Sequence, residues 1–238
     1  MKILNLHGFM GEADNKNYKA LCEILPAEDI ISPKLNYKES SPEKLLEHLS
    51  DMVDTDDFIF VGQSLGGWYA DKLSRRFKRP CILTNPCNYP HKLELITASG
   101  IPEDFVEQYS KMSSFDENDR AYTLCSDADT VLPDNYEDCV KLSRTVKRVH
   151  GSHSTIENVG KHISDMLAEI ENDSLCTPAH IYIWDEPLNY LDVVSRKQLE
   201  ELIISCKPTM LIVEHDETFR RRIGAQEIIL TAATFTSV

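Results

Sequence analysis

The stretch Phe58-Ile59-Phe60-Val61 running into Gly62-Gln63-Ser64-Leu65-Gly66, with a helix-forming segment behind it, constrains this chain more than any other feature. Four consecutive apolar residues read as a buried strand. Leu65, Tyr69, Leu73 and Phe77, four apart, give the next segment the apolar stripe of a helix laid on a sheet. G-x-S-x-G between a strand and a helix is the pattern of a nucleophile elbow, a sharp corner that leaves a serine hydroxyl exposed. The spacing has a steric reason: glycines flanking the serine remove Cβ atoms that would clash at the corner, and the helix beginning at Leu65 aims backbone N–H groups at the reacting atom. A glycine-bracketed serine in an ordinary turn would lack both flanks. Because a serine hydroxyl is a weak nucleophile, an elbow requires an imidazole to take its proton and an acid to orient that imidazole.

Both partners are expected downstream in the order acid, then histidine. Residues 121–125 read as a buried strand, and the loop after it carries Asp127 and Asp129. An acid at a strand's carboxyl end is well placed to orient an imidazole, and Asp129 is the expected one, with Asp127 behind it. The next strand, 145–149, ends in His150-Gly151-Ser152-His153-Ser154, just before an amphipathic helix over about 156–170. His153 is the expected base, and His150 the ordinary hydrogen-bonded histidine closing the strand. At the N-terminus, strand 2–6 runs into His7-Gly8-Phe9-Met10-Gly11. An HG-x turn after an early strand supplies the second oxyanion donor in hydrolases with this elbow, so the backbone N–H groups of Phe9 and Leu65 are assigned to the oxyanion hole. His7 then braces the turn.

Residues 1 to about 172 resemble the small YqiA-type bacterial esterases of the α/β-hydrolase superfamily, through MKILNLHGF, the helix carrying Tyr18, VGQSLGGWYA, LTNPCNYP and GSH. The resemblance implies a serine carboxylesterase with a reduced sheet and a minimal lid, working through an acyl-enzyme intermediate without metal or organic cofactor. It does not single out a substrate, because thioesterase, lipase or deacetylase chemistry uses the same residues. The Pro-containing segment at about 86–118 sits where a lid is expected, and Trp68, Tyr89, Phe105 and Tyr109 are candidates for the acyl pocket, aromatics at helical spacing being otherwise simple core. A short lid favours short acyl groups.

Strand-like runs near 3–6, 29–31, 58–61, 81–84, 121–125 and 146–149 alternate with helical stretches, the mark of an α/β fold with a parallel sheet covered on both faces. With 238 residues, 42% of them hydrophobic, the chain is long enough for one substantial domain and an appendage. A formal charge of −14 argues against nucleic acid or an anionic membrane surface as partner. The seven cysteines form no CxxC and no zinc-ligand spacing, so reduced, mostly buried thiols are expected. Neither a signal peptide nor a membrane span is apparent, and the expected location is the cytoplasm.

From about residue 173 the text changes. Ile181-Tyr-Ile-Trp184-Asp185-Glu186-Pro187-Leu-Asn-Tyr-Leu191-Asp192 resembles the Walker B strand and D-loop of an ATP-binding cassette, and Met210-Leu-Ile-Val213-Glu214-His215-Asp216 resembles its switch-histidine strand. The wording over about 174–232 is similar to the ABC-F proteins. In a complete cassette Asp185 would help hold Mg²⁺, Glu186 would polarise the attacking water and His215 would sense the γ-phosphate. The phosphate-cradling G-x-x-x-x-G-K-[ST] is absent, since Gly160-Lys161 is followed by His162 and lacks the upstream glycine, and no signature motif precedes the Walker B strand. Segment 173–238 therefore reads as a partial cassette fused to an esterase, its motif residues vestigial. Its two strands are apolar on both faces and need cover, from the hydrolase sheet, from a second copy in a homo-oligomer, or else they remain partly disordered. The alternatives to a small-ester hydrolase are a non-catalytic interaction protein acting through the cassette fragment and an ABC-F-like nucleotide-binding module.

Overall fold

Six strands pair side by side, and every pair is parallel, in a computed structural model that describes residues 1–53, 58–176, 181–189 and 191–228. The strands are β1 (Lys2–Leu6), β2 (Ile30–Ile31), β3 (Phe58–Gln63), β4 (Cys81–Thr84), β5 (Asn118–Ser126) and β6 (Ser143–Val149). Parallel neighbours need crossovers, which here contain the helices α1 (Lys16–Cys22), α2 (Pro42–Ser50), α3 (Leu65–Phe77), α4 (Glu94–Thr97), α5 (Glu103–Met112) and α6 (Asn135–Leu142). A small antiparallel hairpin, β7 (Gly151–Ser152) with β8 (Thr155–Ile156), leads into α7 (Val159–Cys176).

Local chemistry sets several of these boundaries. The Asn15 side chain accepts the Tyr18 N–H at 2.9 Å and starts α1, while Ser41 caps α2 with Pro42 in its first turn. Helix α3 stops where Lys78 turns left-handed (φ 55°), and Arg79 N–H bonds back to Ser74 O at 3.2 Å. The expected stripe on α3 is buried: Leu65, Tyr69 and Leu73 are fully enclosed with Leu4, Leu6, Phe58 and Phe60 of the sheet. Each such side chain contributes about 1.5–3 kcal/mol by leaving water, so the helix behind Ser64 is anchored by several independent contacts. The segment after β4 holds a 3₁₀ turn at Pro90–Lys92 and the helices α4 and α5, and ends where Asn118 enters β5.

The strand order is β2-β1-β3-β4-β5-β6. From β1 the chain moves outward to β2 and then returns to β3 on the other side, so order reverses between β1 and β3. In open α/β sheets ligands bind in the crevice at the carboxyl ends of such a pair. The turn at His7-Gly8 and the elbow at Ser64 both occupy that position.

The chain divides into two compact units, Met1–Leu167 and Ala168–Val238, with the boundary inside α7. The second contains β9 (Tyr182–Asp185), α8 (Val193–Cys206), β10 (Met210–Val213) and α9 (Glu217–Arg222). Strands β9 and β10 are parallel, Tyr182 facing Met210 and Asp185 facing Val213. Asp192 caps α8 by accepting the Val194 and Ser195 N–H groups. The expected covers for these strands, the hydrolase sheet or a second copy, leave out the one seen here: this unit's own helices cover one face. Tyr182, Trp184, Met210 and Ile212 pack with Leu199, Ile203 and Phe219, while Ile183, Leu211 and Val213 on the opposite face are exposed. No helix among the described residues is long and apolar enough to cross a membrane. Cys81, Cys87, Cys125 and Cys139 are buried free thiols, whereas Cys22 and Cys206 are exposed.

Candidate active site

Ser64 links β3 to α3 with φ 52° and ψ −119°, a strained conformation for a residue with a Cβ that costs of order 1–3 kcal/mol. Its neighbours hold it there. Ser64 N–H donates to Thr84 O at 3.0 Å, and Ser64 O accepts from Gly67 N–H and Cys87 N–H, both at 2.9 Å. The glycines have steric causes: a Cβ on Gly62 would lie 2.4 Å from Gly66 O, and one on Gly66 would lie 2.2 Å from Leu6 O. Both obstacles are backbone, so only glycine lets α3 start this close to β1 and β3. The turn after β1 approaches from the other side, since a Cβ on Gly8 would meet Ser64 Cβ at 3.0 Å.

The structure brings Ser64, His153 and Asp129 together. His153 Nε2 lies 2.9 Å from Ser64 Oγ, and His153 Nδ1 lies 2.8 Å from Asp129 Oδ2. A carboxylate only accepts, so the ring proton belongs on Nδ1 and the lone pair of Nε2 faces the hydroxyl. Asp129 Oδ1 accepts the Val131 and Leu132 N–H groups, each at 2.9 Å, which pins the carboxylate from the side away from the ring. Burial raises the Asp129 pKa, but the His153 bond and the two backbone N–H groups outweigh it and hold the carboxyl below its ordinary range. The side chains of His153 and Asp129 are 13% and 6% exposed.

The second carboxylate and imidazole of these loops also pair, but they lie elsewhere. His150 Nδ1 is 2.8 Å from Asp127 Oδ2, and Asp127 Oδ1 accepts Gly151 N–H at 3.1 Å. The bond to Asp127 raises the His150 pKa, and that ring is 71% exposed. Hydrogen-bond length does not distinguish the two pairs. Reach does, because among the described contacts only His153 meets Ser64 Oγ.

Phe9 sits in the turn closed by Gly11 N–H donating to Gly8 O at 3.0 Å, and Leu65 is the first residue of α3, where helical N–H groups have no partner within the helix. His7 is buried beneath this turn. Its Nδ1–H donates to Gly8 O at 2.8 Å, its Nε2 accepts Leu35 N–H at 2.9 Å, and the Tyr37 hydroxyl bonds to His7 O. Burial lowers the His7 pKa, in keeping with a neutral ring that braces the turn.

The aromatic pocket candidates separate into two groups. Trp68 and Tyr109 are core residues, 2% and 0% exposed, packed edge-on at 5.0 Å, with the Tyr109 and Tyr69 hydroxyls 3.0 Å apart. Phe105 is half-buried against the same core, and Tyr89 stacks on Phe115 at 5.6 Å beneath the Lys92 ammonium. A polar cleft beside His153 is lined by Lys16, Asn17, Gln63, Thr84, Asn85 and Thr155. In the second unit, Glu186 and His215 meet at the ends of β9 and β10, His215 Nε2 lying 3.4 Å from Glu186 Oε1, and Asp185 is the last residue of β9. Among the described residues no cluster of three or more His, Cys, Asp or Glu side chains is disposed to hold a metal.

Residues 2–171 match the model of the uncharacterised protein family UPF0227. The chain belongs to this family. The fold of the UPF0227 region recurs in α/β hydrolase domain-containing protein 10 from mouse, with a TM-score of 0.55, 16% identity and coverage of 73% of this chain and 90% of that one. It recurs equally in MGS-MChE2, an α/β hydrolase enzyme from a lagoon-sediment metagenome, with a TM-score of 0.54, 16% identity and coverage of 73% and 91%. The UPF0227 region therefore has the α/β-hydrolase fold. The C-terminal region is similar to other proteins: 42 residues are 48% identical to the ATP-binding protein Uup of Buchnera aphidicola, and 49 residues are 39% identical to ABC transporter F family member 5 of Arabidopsis thaliana. These matches cover 18% and 21% of the chain and span only 7% of each relative's length.

Proposed function

We propose that the UPF0227 region is a serine hydrolase of small carboxylic esters, with Ser64 as nucleophile, His153 as general base and acid, and Asp129 orienting the imidazole. One observation carries the reading: His153 lies between Asp129 at 2.8 Å and the Ser64 hydroxyl at 2.9 Å, on a serine held at a positive-φ corner. In acylation Ser64 Oγ attacks the ester carbonyl carbon as its proton passes to His153 Nε2, and the carbonyl electrons move to an oxyanion received by the Phe9 and Leu65 N–H groups. Collapse of this intermediate breaks the C–O bond, and His153 returns the proton to the departing alkoxide. Water, deprotonated by the same nitrogen, then attacks the acyl-enzyme and releases the acid and Ser64. No cofactor enters either half-reaction.

The core positions of Trp68 and Tyr109, which withdraw two aromatic side chains from any acyl pocket, support small acyl groups. The net charge of −14 supports a small ester rather than nucleic acid or an anionic membrane surface as partner. A panel of chromogenic esters with acyl chains of about two to six carbons and longer, run beside Ser64→Ala, tests the reading. Ser64→Ala should lower kcat by about a thousandfold or more and abolish fluorophosphonate labelling, and undiminished labelling would overturn the assignment.

A further inference from the structure

We infer that Asn85 is a positioning residue of this site, an amide that ties the histidine turn and the acid loop, themselves joined by Asp127 N–H to Val149 O at 2.9 Å and Ala128 N–H to Gly151 O at 3.1 Å, to the end of β4; the inference rests on the roles proposed above for Ser64, His153 and Asp129. Asn85 follows β4, the strand between the one that delivers Ser64 and the one that delivers Asp129. It is 2% exposed and adopts φ 44°. Its Nδ2 donates to Ser152 O at 3.1 Å and His153 O at 3.0 Å, two consecutive carbonyls of the histidine turn, and lies 2.8 Å from Ser126 Oγ. Its Oδ1 accepts Ser126 N–H at 2.7 Å, three residues before Asp129, and Ser126 Oγ in turn donates to Ser152 O at 2.9 Å. Its own N–H donates to Leu124 O at 2.9 Å, and two residues on, Cys87 N–H holds Ser64 O.

These contacts converge for a physical reason. His153 lies on a short hairpin past the sheet's edge strand, and a tilt of that hairpin would lengthen both the 2.9 Å and the 2.8 Å contacts of its ring. The side-chain contact to Asp129 fixes the ring relative to the acid, but it does not fix the acid and histidine jointly relative to Ser64. Asn85 supplies that link, because it binds the backbone on both sides from a rigid position at the end of β4. With two hydrogens on Nδ2 and three oxygens within reach, one hydrogen is shared, and an amide fits where a carboxylate would face two carbonyl oxygens without a proton to offer.

The test pairs Asn85→Gly with Asn85→Asp in the full-length chain. Glycine adopts φ 44° without strain and removes the whole CH₂–CONH₂ side chain; aspartate keeps the acceptor for Ser126 N–H but loses both donors. Displacements of this kind cost of the order of tenfold to a hundredfold, so kcat and the rate of fluorophosphonate labelling should each fall by about that factor with KM little changed. Asn118→Ala is the control, since Asn118 is equally buried and bonded, to Asp71 and Ser74, but far from the reaction; it should lower the melting temperature with kcat per folded molecule unchanged. Proton NMR of the His153 Nδ1–H low-field resonance reports the geometry without turnover. Loss of that signal to exchange in both Asn85 variants, whether or not the wild-type protein cleaves any tested ester, supports positioning, so a failure of the ester reading is told apart. Retention of the signal with kcat within about twofold in both variants, or activity lost only in step with unfolding as in the control, overturns the inference.

Discussion

Exchanging Asp129 for asparagine tests the site at its most discriminating point, because the change is nearly isosteric and its consequence is chemical. The amide oxygen can keep the Val131 and Leu132 N–H bonds, both 2.9 Å, so the loop should retain its shape and the melting temperature should move by only a few degrees, about the effect of 1 kcal/mol. Its NH₂ group then faces His153 Nδ1 at the position where the carboxylate oxygen lies 2.8 Å away. An NH₂ group donates, so Nδ1 must accept and the ring proton moves to Nε2, opposite the Ser64 hydroxyl. A protonated Nε2 cannot take the serine proton. In a triad of this geometry the wrong tautomer lowers kcat by about 10³–10⁴-fold, equivalent to about 4–5.5 kcal/mol of barrier. Asp127→Asn is the internal control, since Asp127 makes an equally short bond, 2.8 Å, but to an exposed His150 that is not in contact with Ser64. It should cost about tenfold or less. Steady-state hydrolysis and the fluorophosphonate labelling rate, measured on both variants with thermal unfolding as a folding check, give the comparison. Asp129→Asn within about tenfold of wild type, or Asp127→Asn the more damaging of the two, would refute the assignment.

Further outcomes follow from the same geometry. Gly66→Ala places a Cβ 2.2 Å from Leu6 O and 2.5 Å from His7 O, both backbone; the elbow should open, with labelling lost and a destabilisation of about 3 kcal/mol or more, read by thermal unfolding. Because Asp129 is held ionised below the ordinary carboxylate range, its stabilising contribution is complete above a pH of about 4 and is lost only as pH falls through its depressed folded value. The stability gap between wild type and Asp129→Asn should therefore persist at pH 5 and close only in stronger acid, and closure by pH 5 would contradict the assigned hydrogen bonds. Ending the chain at Asn172 should leave ester hydrolysis largely intact, and calorimetric titration should show no ATP binding by either form. If the exposed face of β9 and β10 joins two copies, light scattering will show the truncated chain at a lower mass than the full one. Micromolar ATP binding by the full chain would contradict an idle cassette fragment.

Where the sequence was legible, the determinants were short-range. The elbow is readable because its pattern is compact: Gly62 gives way to the nearby Gly66 backbone at 2.4 Å, and the four-residue spacing from Leu65 to Leu73 is that of a helix buried on one side, although the obstacle that requires Gly66, Leu6 O at 2.2 Å, comes from β1 and is visible only in the fold. The aromatic candidates show the opposite. Trp68 and Tyr109 carry the same spacing whether they line a pocket or fill a core, and burial is a property of what packs against them. The tail strands likewise read as apolar on both faces, and only the packed α8 and α9 reveal that one face is covered. Asn85 stands in the sequence only as one letter of LTNPCNYP, since its meaning comes from carbonyls 67 and 68 residues away.

By itself, then, the sequence determined the alternating parallel fold, the strained serine corner and the loops from which an acid and a histidine would come, because sterics and periodicity act between near neighbours along the chain. The sequence ranked Asp129 and His153 ahead of Asp127 and His150, but only the tertiary structure shows which pair reaches the serine hydroxyl. Asp127 with His150 and Asp129 with His153 match in composition and in bond length, 2.8 Å each, and are 23 and 24 residues apart; what separates them is where the sheet order and the hairpin after β6 carry them. The contact that separates them joins residues 89 apart in sequence, across a 2.9 Å gap that no local preference encodes and that packing of the whole first unit must close.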